Sequence, residues 1–166
     1  MNKLLSTTMA VFLFGLCLTR GQTERELGAL LDEWHLAAAR ADFEGYVGKM
    51  TKDAVFIGTD ATEYWLGQAF RDFSKPYFEQ GKAWSFHSVE RHVYLNERED
   101  LAWFDELLDT RMGLCRGSGV MQKNPGGWKI AHYVLSIAVP NKDVDALLDL
   151  KKESDSLLLL KLKQPR

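Results

Sequence analysis

Cysteine is scarce in this chain, with only Cys17 and Cys115 among 166 residues. If the N-terminal segment is removed, as argued below, Cys115 stands alone and no internal disulfide can form. The domain must then stand on its core. A lone cysteine with no base placed near it by the sequence reads as a small core residue rather than a nucleophile. Metal-binding spacing is also absent. His35, His87, His92 and His132 form no HxxxH pair, and no paired-cysteine motif accompanies them, so no metal is expected. There is no glycine-rich phosphate loop either, since Gly117 and Gly119 sit within a strand pattern rather than at a strand-to-helix turn. No cofactor is expected. Basic residues do not predominate: Lys plus Arg is 21 against 23 Asp plus Glu, the net charge is -2 and the pI is about 6.1. That balance argues against nucleic acid as a partner.

Long apolar runs are missing as well. The run Met9–Leu18 stops at 10 residues, half of the roughly 20 that a membrane span requires. It suits the apolar region of a secretory signal peptide, with Lys3 before it and the small residues Thr19 and Gly21 placed for cleavage after Gly21. Cys17 raises a lipoprotein reading, but Leu16 is bulky where such a site wants a small residue. The expected organisation is therefore a signal peptide over 1–21, a folded domain over 22–141 and a charged, leucine-rich tail over 142–166. The expected location is the periplasm or the exterior. Loss of Lys3 and Arg20 would leave 19 of the 21 bases against 23 acids, a net charge of −4.

What is present is ample apolar residue, 46% of the chain, enough for a single well-packed core. Helical spacing of Leu27, Leu30, Leu31, Trp34 and Ala38 predicts a helix over 23–40. Asp42 is placed to cap a short second helix over 42–50. A strand is expected over 54–57, a polar loop over 59–62 and a third helix over 66–80, kinked or restarted at Pro76. Four strands follow over 83–95, 101–109, 112–123 and 128–139, with a turn at Asn124-Pro-Gly-Gly127. Helices followed by a meander of strands imply an α+β fold with helices on one face of a curved antiparallel sheet. In the tail, Val144, Leu147, Leu148 and Leu150 suit a short docking helix or a frayed terminus.

The segments Phe56-Ile-Gly-Thr-Asp60, Trp65-Leu-Gly67, Ala102-Trp-Phe104, Arg116-Gly-Ser-Gly-Val120 and Gly126-Gly-Trp-Lys-Ile-Ala-His-Tyr-Val-Leu-Ser136 carry a resemblance. From about Glu26 to Asn141 the chain resembles the SnoaL-like branch of the nuclear transport factor 2-like, cystatin-like superfamily. The resemblance implies a cone in which a bent sheet wraps a long helix and leaves an open-ended pocket. Members of the superfamily include isomerases, cyclases, hydrolases, dehydratases, transport factors and association domains, so the fold does not name a function. Many members pair through the outer face of the sheet.

Strand alternation then sorts residues by face. On the last strand Ala131, Tyr133, Leu135, Ile137 and Val139 form an apolar inward set, and His132 lies outside. On the strand from Leu101, Ala102, Phe104, Glu106 and Leu108 point inward, and Trp103 and Asp105 outward. His87, Val89, Arg91, Val93 and Leu95 form the inward set of the long strand. Gly117 and Gly119 facing inward would leave room for a ligand or let the sheet bend. The candidate site is accordingly Glu106 as base and Tyr133 or His87 as hydrogen-bond donor. Asp60, Trp65, His87, Arg91 and Phe104 complete a ligand pocket. A carboxylate among apolar groups tends to a raised pKa, which suits acid–base work. Glu106 could equally be satisfied by pairing with Arg91, Tyr133 could be a core tyrosine, and Asp60 could cap a turn. Three functions fit: binding of a small apolar or amphipathic molecule, cofactor-free acid–base catalysis through Glu106, or association. A homodimer is expected through the outer sheet face, at Trp103, Asp105, Arg116 and His132.

Overall fold

The computed structural model describes the backbone of residues 2–164 and the side chains of residues 21–164. Residues 1–20 of the expected leader, including Cys17, lie outside the residues whose side chains are described. Helix α1 spans Asn2–Ala39, and among the residues whose side chains are described its buried face comprises Leu27, Leu31, Trp34, His35 and Ala38. These positions are three and four residues apart, the spacing that places side chains on one helical face. Helix α2 (Phe43–Val47) is capped by Asp42, whose carboxylate accepts from the Gly45 amide at 2.9 Å. Strand β1 (Met50–Ile57) precedes a short strand, β2 (Tyr64–Leu66), and helix α3 (Gln68–Glu79). Strands β3 (Phe86–Leu95), β4 (Leu101–Thr110), β5 (Gly113–Asn124) and β6 (Gly127–Ile137) form the meander, and helix α4 (Val144–Leu162) ends the chain.

The six strands make one sheet in the order β2-β1-β6-β5-β4-β3. The α+β class and the curved sheet around a helix are as expected. One seam differs from the antiparallel expectation: β1 runs parallel to β6. The chain reaches the far side of the sheet after α2, so the strand that closes the cone lies beside β6 in the same direction. Strand β2 was not anticipated, because three residues with Trp65 half-buried carry no readable period. Pro76 lies inside α3 and does not end it. Along the helix, Phe70 and Phe78 are buried in the core and Phe73 packs against it.

Two register shifts alter the expected faces. The first falls between Ser88 and Glu90 in β3 and leaves Val89 unpaired. It puts Phe86 inward and buried and turns His87 outward, the reverse of the alternation expected from the sequence. Beyond it Arg91, Val93 and Leu95 face inward as expected. The second shift, opposite Val120 and Met121, skips Ala131 in β6 and buries Ile130. Ile137, expected inside, is 49% exposed at the end of that strand. Strand β4 pairs with β5 without interruption, so Glu106 faces in and Asp105 faces out as read.

The core is strongly aromatic. Trp34 stacks on Tyr46 at 4.9 Å and meets the edge of Tyr133 at 4.8 Å, and Phe56 stacks on Phe70 at 4.2 Å. Such pairs contribute about 0.5–1.5 kcal/mol each beyond their buried area. Cys115 is a buried free cysteine in this core. Gly117 and Gly119 have the small inward positions expected, but the space they leave is filled. A side chain at Gly117 would collide with the Tyr133 hydroxyl, and one at Gly119 with the Phe104 ring and the His132 carbonyl.

Candidate functional site

The interior of the cone holds a closed polar cluster. Glu106 is fully buried on β4. Its Oε1 is 2.8 Å from His35 Nε2 and accepts the Tyr133 hydroxyl at 3.2 Å. Its Oε2 accepts Arg91 Nε at 3.0 Å, and a second guanidinium nitrogen stands 3.0 Å away. Arg91 also donates to the Gly28 carbonyl at 2.9 Å and to Asp32 at 2.7 Å, so it ties β3 to α1. Burial alone would raise the Glu106 carboxyl. The hydrogen bond and proximity of His35 and the Arg91 charge outweigh burial, and together hold the carboxyl below its ordinary 4.5. The raised value expected from apolar surroundings is thereby corrected: the strand faces are apolar, but α1 and β3 bring two cationic or donor groups to the carboxylate. Burial and the adjacent Glu106 charge instead push the Tyr133 phenol well above its usual value.

The open cavity lies elsewhere, at the mouth. It has a volume of about 570 Å³. Its floor and walls are Phe56, Trp65, Phe73, Trp84, Phe86 and Met112, and its rim is Glu63, Lys82, His87, Asp109 and Arg111. Trp65 stacks on Phe73 at 4.1 Å, which sets the β2 side of the wall. Gly67, at φ 52, allows the sharp turn from β2 into α3 that brings Phe73 under Trp65. A smaller cavity of about 290 Å³, lined by Asp32, His35, Leu36, Ala39, Phe86, His87 and Ser88, lies between α1 and β3.

The candidate residues therefore separate. Trp65 and His87 line the mouth. Glu106, Tyr133 and Arg91 belong to the interior cluster, and Phe104 is packed 6.1 Å from Tyr133 in the core. Asp60 is exposed in the loop before β2, where its carboxylate accepts from the Thr62 amide at 2.8 Å and hydroxyl at 2.6 Å. These bonds hold its carboxyl below its usual value. The candidates thus do not meet in one cavity. Sequence reading missed His35, although a histidine at the buried helical spacing of Leu31, Trp34 and Ala38 signals a partner in the core. It also missed Lys82, Trp84 and Arg111, which lie in loops where alternation says nothing. Among the described residues no group of three or more His, Cys, Asp or Glu could hold a metal ion.

A six-stranded curved sheet around a long helix, open at one end, defines a cystatin-like cone. A model of the SnoaL-like domain matches residues 27–140, and the chain belongs to that family. Solved structures agree on the fold. A nuclear transport factor 2-like protein of unknown function from Pseudomonas putida is 18% identical with a TM-score of 0.58, over 73% of this chain and 90% of that one. A candidate dehydratase of the nuclear transport factor 2-like family from Streptomyces avermitilis is 15% identical with a TM-score of 0.63, over 73% of this chain and 99% of that one. A domain with a cystatin-like fold from Nostoc punctiforme is 18% identical with a TM-score of 0.60, over 85% and 96%. Comparison with curated proteins gives no match.

Proposed function

We propose that this SnoaL-like protein is exported and binds a small molecule with an apolar, ring-containing body and a polar end at the mouth of its cone. The observation that carries this reading is the separation of the two sites. The open 570 Å³ cavity is walled by aromatic side chains and rimmed by charges, whereas Glu106 is bonded to His35, Arg91 and Tyr133 and does not line that cavity. A concave, mostly apolar pocket with a few polar groups is the usual form of a small-molecule site. Acid–base catalysis through Glu106 would require the carboxylate to reach a substrate. Titration with anilinonaphthalene sulfonate, an aromatic anion suited to the ring walls, Lys82 and Arg111, tests the site. The expected result is saturable fluorescence that Trp65→Ala weakens about tenfold, the effect of roughly 1.4 kcal/mol. A titration unchanged by Trp65→Ala and by Phe73→Ala would rule the mouth out. N-terminal sequencing of the protein from the exported fraction should begin at Gln22.

A homodimer through the outer sheet face belongs to the same proposal. Trp103 and Tyr94 are each nearly half exposed and stack at 5.8 Å on that face. Asp105 and Arg116 stand 3.9 Å apart beside them, and His132 is on the same side, opposite Val120. Exposed aromatics flanked by paired charges match the composition of protein interfaces. Sedimentation should give a dimer that Trp103→Glu converts to monomer; a wild-type monomer at high concentration would remove this part of the reading.

A further inference from the structure

Helix α4 (Val144–Leu162) buries none of its side chains. A helix ordinarily draws most of its stability from packing an apolar face, and α4 carries such a face with Val144, Leu148, Leu159 and Leu162 exposed on it. That face reads the same in both chain directions. Val144 and Leu162, Leu147 and Leu159, and Leu148 and Leu158 are placed symmetrically about Glu153. Lys151 and Asp155 form a fourth symmetric pair, of opposite charge, and stand 3.2 Å apart within the helix. At about 3.6 residues per turn all of these positions fall within a stripe about 120° wide. The leucines on the other side lack the symmetry, since Leu150, Leu157 and Leu160 have Ser156, Asp149 and Ala146 as their counterparts.

We infer that α4 pairs with α4 of a second copy of this chain, antiparallel and centred on Glu153. A two-fold axis at that level sets every apolar residue of the stripe against an apolar one: Val144 against Leu162, Leu147 against Leu159, and Leu148 against Leu158. It also sets Lys151 of each copy against Asp155 of the other, so every charge in the stripe meets its opposite. A parallel pair in register would set Lys151 against Lys151 and Asp155 against Asp155, and such like-charge contacts select against that arrangement. The 19 residues of α4 run about 28 Å. A single stripe of that length makes an interface of the size found in weak, transient association. The pairing is therefore read by cross-linking, which traps short-lived pairs, rather than by sedimentation.

The test uses the full chain with Cys17 and Cys115 each replaced by Ala. A mixture of Val144→Cys and Leu162→Cys chains, treated with a short bifunctional maleimide, should give a product containing one of each. Val144→Cys alone should not cross-link, because antiparallel pairing holds its two copies about 27 Å apart. Ala146→Cys mixed with Leu160→Cys, at matching levels on the far side of the helix, should also stay unlinked. Adding Lys151→Asp to both chains of the first mixture should cut its yield about tenfold, and adding Asp155→Lys as well should restore it. Trp103→Glu, which breaks the outer sheet face, should leave the yield unchanged, so the two pairings fail separately. No product from the first mixture, a product from Val144→Cys alone, no rescue by the charge exchange, or a yield lost in Trp103→Glu would each overturn the proposal.

Discussion

The interior cluster and the mouth of the cone are built from similar residue types but are handled in opposite ways. Inside, Glu106, Arg91, His35 and Tyr133 come from α1, β3, β4 and β6 and bond one another. At the mouth, Lys82, His87, Asp109 and Arg111 are exposed around an aromatic floor. A buried carboxylate is stable only when its neighbours satisfy it, and that satisfaction occupies the groups that would otherwise meet a substrate. Exposed charges at an apolar mouth carry no such demand. A charged residue on an inward strand face is thus a poor guide to a site when its neighbours satisfy it.

The comparison breaks most visibly at Glu106. Glu106→Ala leaves Arg91 and His35 buried without their carboxylate and should cost about 3–5 kcal/mol, read by denaturant unfolding. The same residue gives an acid signature. The folded carboxyl titrates below its ordinary, unfolded value of 4.5. As pH falls the unfolded chain takes up its proton first, so this contribution is complete above about pH 5 and is lost as pH falls through the folded value. Stability of the wild type should therefore fall over that range more steeply than that of Glu106→Gln; equal slopes would remove the ionised Glu106 from the account.

Smaller effects follow outward. Gly117→Ala would push a methyl group into the Tyr133 hydroxyl and to 3.1 Å from Glu106 Cγ, and should cost about 1–3 kcal/mol in thermal or chemical unfolding. Tyr133→Phe removes one hydrogen bond, of 3.2 Å, to a carboxylate that keeps its other partners, and should cost about 1 kcal/mol. At the other extreme, α4 buries none of its side chains. Ending the chain after Pro140 should change stability by no more than about 0.5 kcal/mol, and a larger loss would mean that the tail is part of the folded unit.

The sequence made the cone legible because its signals are redundant. The helical stripe of α1, the Asp42 cap and the turn at Asn124–Gly127 each agree with the sheet they accompany. Strand β4 was also legible to the residue, since it carries no register shift, and so Glu106 was correctly placed inside. His87 and Ala131 were misplaced because a single unpaired residue in β3 or β6 reverses every face on one side of it, and neither Val89 nor Ala131 carries a local mark of a bulge. The mouth was hardly legible at all. Lys82, Trp84 and Arg111 lie between elements, and what unites them is the curvature of the sheet rather than any spacing along the chain.

The central claim is that the interior cluster holds the fold together and the mouth holds the ligand. Its most direct measurement is the affinity of anilinonaphthalene sulfonate for Tyr133→Phe and Trp65→Ala side by side, with folding confirmed for both. Tyr133→Phe should keep wild-type affinity and Trp65→Ala should lose roughly tenfold. Loss of binding in Tyr133→Phe with binding intact in Trp65→Ala would contradict it, and would place the ligand against the interior cluster.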